Sequence, residues 1–238
     1  MRVIELLVLP HEGRTVSELS RILKQDAAQV HRVLRGLVAT GYAAQSPSSA
    51  HYVATPKILE LAAAFLRESG MIESSRTLMR GLRDATGESV HLADATGALP
   101  VCVAREISPH PVSVLTPVGA TWPLEGTAMG RAVAAFRLDG TKAATEKRRL
   151  AEVRRQGYAV DRGEYVRGVC GVAAPIIDWQ GHVIGAIAIS GPADRFANSR
   201  MSRLGALVRK AGADISIALG YRAPDSARSA GRVPVARP

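Results

Sequence analysis

Two short amphipathic segments between Thr15 and Thr40 open with matching start signals, Thr15-Val16-Ser17-Glu18 and Asp26-Ala27-Ala28-Gln29. Each sets an N-cap oxygen three residues ahead of a Glu or Gln able to reach back to the cap's own amide, the capping-box pattern. After the first cap, Val16, Leu19, Ile22 and Leu23 share one helical face; after the second, Val30, Val33, Leu34 and Leu37 do so. Only a tight turn around Gln25 separates them. Two such helices joined so closely predict a helix-turn-helix, whose second helix lies in the major groove of DNA. The outward side of that helix would carry Ala28, Gln29, Arg32 and Arg35, with His31 beside them. Gln matches the N6/N7 edge of adenine, Arg the O6/N7 edge of guanine, and Ala the thymine methyl.

The flanking residues agree. Val3, Ile4, Leu6, Leu7 and Leu9 supply a third helix for a small core, and Gly41-Tyr42 ends the second. Tyr42 to Gln45 and His51 to Ala54 then flank a turn at Ser46-Pro47-Ser48-Ser49 and would pair as a wing. The wing offers only His51 as a cationic group, so phosphate contacts would fall to Lys57, Arg14, Ser17 and the recognition helix. Thr55-Pro56 starts a further helix, with Thr as cap and Pro at its first position, running to about Ser69-Gly70. Ile58, Leu61, Ala62, Phe65 and Leu66 make it too apolar for a solvated linker, and a second copy of the same helix would cover it.

The 238 residues suffice for two small domains, and 47% apolar with 22% charged residues is ordinary for a soluble globular protein. No run approaches the ~18 apolar residues that cross a bilayer, the first residues lack a signal-peptide pattern, and two cysteines make no disulfide framework, so a cytoplasmic location is expected. The net charge of +10 suits a polyanionic partner. It does not locate the interface: residues 1–70 hold eight Lys/Arg against six Asp/Glu.

Beyond the linker the pattern predicts a helix from Ile72 to Thr86 stopped by Gly87, then strands at Glu88–Asp94, Pro100–Arg105 and Val112–Thr116. A short helix follows over Thr127–Phe136, then a charged helix over Glu146–Gln156. Val172–Asp178 and Val183–Ser190 read as a hairpin about Asp178-Trp179-Gln180-Gly181, followed by an amphipathic helix over Ser199–Leu219. This is a mixed α/β arrangement of the α+β kind. The division expected is a winged head at 1–54, a linker helix at 55–70, a mixed domain at 71–221, and a disordered Ala/Arg/Pro/Ser tail at 222–238.

Over about residues 1–221 the chain resembles the IclR family of bacterial transcriptional regulators. The resemblance is carried by Arg155-Gln156-Gly157-Tyr158-Ala159-Val160-Asp161, Glu164-Tyr165, Gly168-Val169, Ala173-Ala174-Pro175-Ile176 and Ala186-Ile187-Ala188-Ile189-Ser190-Gly191-Pro192, with Val30-His31-Arg32 and Gly41-Tyr42 in the head. It implies a winged helix-turn-helix, a linker helix and a GAF-like effector domain, no enzymatic activity and no cofactor. It also implies homodimers, often pairs of dimers, whose binding to an operator responds to a small organic or aromatic acid. Carried over by position, the effector pocket would be walled by Val114, the helix start Thr127-Ala128-Met129, Asp161, Val169, Gly171, Ala188 and Ser190.

Two departures matter. Many members have Cys where this chain has Gly171, and some have Ser where it has Ala188; Cys170 sits one residue early and would face the other side of its strand. The pocket would thus lose polar partners and gain room, favouring an effector bulkier than glyoxylate or pyruvate, such as an aromatic acid with Trp122 as a stacking surface. A pocket that binds nothing, or a register displaced by one, would explain the same residues. The stretch from Arg137 to Val153 is also shorter than in most members, so one wall would be remodelled or open.

Other chemistries find little support. Cys170 lacks a triad or oxyanion motif, His91, Asp94, Cys102, His110 and Cys170 lack metal-ligand spacing, and Gly126–Gly130 lacks the Lys of a phosphate loop. The basic run Lys147–Arg155 reads as a solvated helix face. The competing class is a small-molecule-binding or enzymatic GAF-like protein whose head serves only dimerisation.

Overall fold

The computed structural model describes residues 2–9, 12–47, 49–137 and 144–222. It divides into two compact units, Met1–Glu68 and Ser69–Pro238. The expected disordered tail lies, beyond residue 222, outside the described residues.

The first unit contains α1 (Arg2–Val8), α2 (Val16–Leu23), α3 (Ala27–Ala39), β1 (Ala43–Gln45), β2 (Tyr52–Ala54) and α4 (Lys57–Glu68). The capping box of α2 is complete. Thr15 Oγ1 accepts from the Glu18 amide at 3.3 Å, and the Glu18 carboxylate accepts from the Thr15 amide at 2.8 Å. Those bonds hold the Glu18 carboxyl below its ordinary range. The second box is half formed: Asp26 accepts from the Ala28 and Gln29 amides, and the Gln29 side chain returns no bond. Lys24 makes the turn between the helices at φ 54°, in the left-handed region, with its amide on the Ser20 carbonyl.

Val3, Leu7, Leu19, Val30, Leu34, Ala43 and Tyr52 form the core of this unit. Two residues assigned to the apolar stripes are not in it: Ile22 is 44% exposed and Val33 40%. Both lie at the margin of their stripes, where a three-helix core this small no longer reaches. β1 and β2 pair antiparallel with Gln45 opposite Tyr52, and Arg14 bridges to Tyr52 from the other side. No residue of α4 is buried; Leu59, Leu61 and Phe65 are 69, 53 and 56% exposed.

The second unit contains α5 (Gly70–Thr86), β3 (Ser89–Asp94), β4 (Val101–Glu106), α6 (Ala128–Ala134), α7 (Ala144–Gln156), β5 (Ala159–Asp161), β6 (Val169–Ile177), β7 (Val183–Pro192) and α8 (Asn198–Ala218). The strands form one antiparallel five-stranded sheet in the order β4-β3-β7-β6-β5. Its helices divide between the faces. A Cβ on Gly171 would meet Ala128 of α6, whereas Gly212 of α8 lies so close to β6 that a Cβ there would stand 2.7 Å from the Pro175 carbonyl. Buried Ser216 ties α8 to the sheet, accepting from the Ile177 amide and donating to the Gly212 carbonyl.

Two expectations for this unit fail. Val112–Thr116 is not a strand. Its side chains alternate, but Pro109, Pro111 and Pro117 remove amides, and the start of β4 pairs instead with Thr121. The segment is held by side chains: Arg195 donates to the Val112 carbonyl and Arg105 to that of Thr116. The second miss is β5, only three residues long and paired with Gly171–Ala173; β6 itself begins at Val169, opposite Pro192 of β7, rather than at Val172. Of the short stretch between Arg137 and Val153, residues 138–143 lie outside the described residues, while Leu150 and Val153 of α7 join the core around α6. Among the described residues no helix is long and apolar enough to cross a membrane.

Candidate functional site

On α3 the burial of Val30 and Leu34 turns the opposite side outward. Ala28, Gln29, His31, Arg32 and Arg35 are all exposed, as is Ser17 at the start of α2. Gly36 extends this face with open space where a Cβ would stand. Two cations expected to reach phosphates are engaged elsewhere. The Lys57 ammonium donates to the Thr40 carbonyl at 2.7 Å and lies over the Tyr42 ring at 5.0 Å, closing the end of α3. Arg14 donates to the Leu6 and Leu9 carbonyls, closing the end of α1.

In the second unit, one end of the sheet face beneath α6 holds a cavity of about 110 Å³. Its lining includes every position expected for an effector: Val114, Trp122, Thr127, Ala128, Met129, Asp161, Val169, Gly171, Ala188 and Ser190. Register explains the convergence. Asp161 pairs with Gly171 and Gly171 with Ser190, so these three share a face, and Ala188 two residues on shares it too. Gly171 therefore faces the cavity. Cys170 borders the cavity, but its partner Gly191 faces Glu88 and Phe196, so the thiol belongs to the opposite face. Burial raises the pKa of that thiol, which suits an inert role.

Thr127 caps α6, accepting from the Gly130 amide at 2.9 Å, and Gly130 brings the helix against the Pro123 carbonyl, where no Cβ could fit. Arg131, almost wholly buried, makes a bidentate pair with Glu164 and donates to the Val160 carbonyl. It thereby fixes the loop after β5. Asp161 starts that loop, its Oδ1 accepting from the Gly163 and Glu164 amides. Desolvation pushes its carboxyl upward against those two bonds.

The cavity residue missing from the positions expected for an effector is His91. It is 2% exposed, opposite Ala188 on the neighbouring strand, and its Nδ1 lies 3.3 Å from Ser190 Oγ. Trp122 meets it edge-on, with ring centroids 6.1 Å apart. The polarity expected to be lost at positions 171 and 188 is thus restored from β3, and the imidazole occupies room that Ala188 leaves. The cavity is smaller than the ~150 Å³ void that admits benzene. Alternation along β3, which puts Ser89, His91 and Ala93 on one face, is the signal that could have found it.

Burial lowers the His91 pKa to about 4, so the ring is neutral near pH 7. The unfolded chain, with its ordinary value near 6.5, therefore binds more protons below that pH. Stability should fall as pH drops from about 6.5 towards 4, by at most about 3 kcal/mol from this group. Urea titrations at stepped pH should show that slope flattened in His91→Phe.

The profile of the bacterial transcriptional regulator IclR C-terminal family matches residues 63–217, spanning α5 to α8 and the whole cavity. The chain belongs to the IclR family. It is 31% identical to the HTH-type transcriptional regulator KdgR of Escherichia coli (strain K12), over 87% of this chain and 86% of that protein. It is 28% identical to the HTH-type transcriptional regulator BhcR of Paracoccus denitrificans, over 91% of this chain and 84% of that one. A crystal structure of an IclR-type regulator from Silicibacter sp. TM1040 superposes with a TM-score of 0.77 at 26% identity, covering 89% of this chain and 91% of the other. The IclR-family protein is a transcriptional regulator and not an enzyme, in keeping with these relatives.

Proposed function

We propose that this IclR-family regulator reads operator DNA with the outward face of α3 and that a small organic acid in the C-terminal cavity alters that binding. The observation carrying the first part is the exposed row Ala28, Gln29, Arg32 and Arg35, on a helix capped at Asp26 and braced by a paired wing. Ser17 and His31 flank that row and would meet phosphates; Lys57 supports the fold of the head instead. The second part is supported by a cavity of mainly apolar walls with a few inward polar groups, the usual form of a small-ligand site. The unburied apolar α4 supports a homodimer that presents two heads. An acid that favours one placement of those heads then shifts operator affinity by its differential affinity for the two states.

Footprinting of genomic fragments with the purified protein should reveal two half-sites one helical turn, or a multiple of it, apart. Absence of any protected site at low salt would exclude operator reading and leave a ligand-binding protein whose head only dimerises.

A further inference from the structure

We propose that the cavity takes its acid together with one proton, held between the ligand's carboxyl group and Asp161, so that the site responds to acid and pH jointly. This rests on the effector reading above and adds the regulation of that site.

The charge on the cavity wall is of one sign. Among the described lining residues Asp161 is the one carboxylate, and none is a lysine or an arginine. Asp161 is 8% exposed. Its Oδ1 accepts from the Gly163 and Glu164 amides at 3.0 and 2.8 Å, whereas Oδ2 takes no hydrogen bond among the described residues. The sealed side-chain atoms lacking a partner among these residues are Arg131 Nε and Glu146 Oε1. Asp161 Oδ2 is not one of them, so it opens onto the cavity that the residue lines. A carboxylate oxygen this deeply placed calls for a donor.

The charged and titratable neighbours do not supply one. Arg131 of α6 commits both Nη groups to Glu164 and the Val160 carbonyl, and its Nε lies 3.5 Å from Glu146. Arg162 donates to Asn198, and Glu164 brings a like charge. Burial, with the charge of Asp161 itself, raises the pKa of the Cys170 thiol on the far face of β6. Tyr165, on the loop after β5, is half exposed, and His91 on β3 is neutral near pH 7.

An acid entering as its anion would set two carboxylates together with no cation on the wall to separate them, and like charges that close do not both ionise. One proton resolves this: the pair keeps a single negative charge and gains an O–H···O hydrogen bond. Burial already pushes the Asp161 carboxyl in that direction. There is room for the pair beside Asp161, because its neighbour on β6 is Gly171. A carbon placed at the Cβ position of Gly171 would stand in ordinary contact with Ala128 and Ser190, 3.8 and 3.9 Å from their Cβ atoms. The bound pair thus holds a proton that the free acid and free Asp161 release near neutral pH, and affinity falls as pH rises.

The test is calorimetry on the full chain with propionate, pyruvate and propionamide as probes, in buffers that differ in ionisation enthalpy. Each acid that binds should take up about one proton per molecule, and its affinity should fall about tenfold per pH unit between about pH 6 and about pH 8. His91, with its pKa at about 4, does not titrate in that window. Propionamide carries its own N–H donor and should bind without proton uptake. Asp161→Asn keeps an acceptor for the Gly163 and Glu164 amides and offers an N–H to a carboxylate, so the proton uptake and the pH slope should both vanish. The buffer series on the unsubstituted protein reads the proton however the variant folds. Binding of either acid with no proton taken up would overturn the proposal while leaving the effector reading intact. So would undiminished proton uptake in a folded Asp161→Asn protein. Failure of both acids to bind would overturn it too, and propionamide binding in that case marks a site for neutral ligands; a footprint on DNA is scored separately.

Discussion

Arg32→Ala should abolish most specific operator binding while leaving the fold of the head untouched. Arg32 stands at the centre of the exposed face of α3, diametrically away from the buried Val30 and Leu34, and makes no contact on which the core depends. A bidentate arginine–guanine contact contributes about 1–3 kcal/mol of discrimination. A homodimer loses it twice, so the expected cost is about 2–6 kcal/mol, at least about thirtyfold in affinity. The head itself carries little net charge, and its wing offers only His51, so few phosphate contacts can compensate. Fluorescence anisotropy on the footprinted site, over a salt series, separates the two roles. Loss of a base contact lowers affinity with little change in salt slope, whereas loss of a phosphate contact reduces the slope by about one per head. An affinity within threefold of the parent protein would remove Arg32 from the reading set.

Glu88→Ala should produce the largest loss of stability in the C-terminal unit. The Glu88 side chain is fully buried and receives Arg195 through two bonds, Nε at 2.9 Å and Nη2 at 2.7 Å, with Arg200 Nη1 a further 3.1 Å away. Removing one partner of a buried ion pair costs about 3–5 kcal/mol, because the charge left behind is unmet. Here the arginines are 23 and 34% exposed and can turn partly towards water, so about 3 kcal/mol is expected. Glu88→Gln should lose less, since it keeps the shape and an acceptor. Urea unfolding followed by tryptophan fluorescence reports this unit selectively, because Trp122 and Trp179 are the only two tryptophans. A loss below about 1 kcal/mol in Glu88→Ala would refute the account. Arg195 also holds the Val112 carbonyl, so the same substitution should loosen the segment that carries Val114 to the cavity.

The parts legible in the sequence were those written locally. Thr15, Asp26 and the apolar spacing after each define α2 and α3 without reference to the rest of the chain. The hairpin at Asp178 is equally local: its Oδ1 accepts the Gln180 and His182 amides, and Gly181 takes φ 88°. The ten positions expected for an effector followed from family resemblance, and strand alternation brings those on β5, β6 and β7 to one cavity. What escaped depends on partners distant in sequence. Val112–Thr116 has the alternation of a strand but no neighbour to pair with, and β5 is a strand only because β6 lies beside it. The tie of Lys57 to Thr40 and Tyr42 exists only once the chain has folded back, so the sequence shows it simply as a free cation beside the wing. His91 was weighed as a metal ligand and set aside, since nothing near it in sequence points to Ser190.

The sheet order places β3 beside β7, so His91 and Ser190, 99 positions apart, share a bond. The proposed reading face of α3, by contrast, is spelled within Ala28–Arg35. On the proposed function the two specificities would be stored in different ways. DNA recognition would be rewritten by changes within one short contiguous stretch. The cavity lining is distributed over strands β3, β5, β6 and β7, so a new effector would require coordinated substitutions, and recruitment to a new operator would outpace a change of signal.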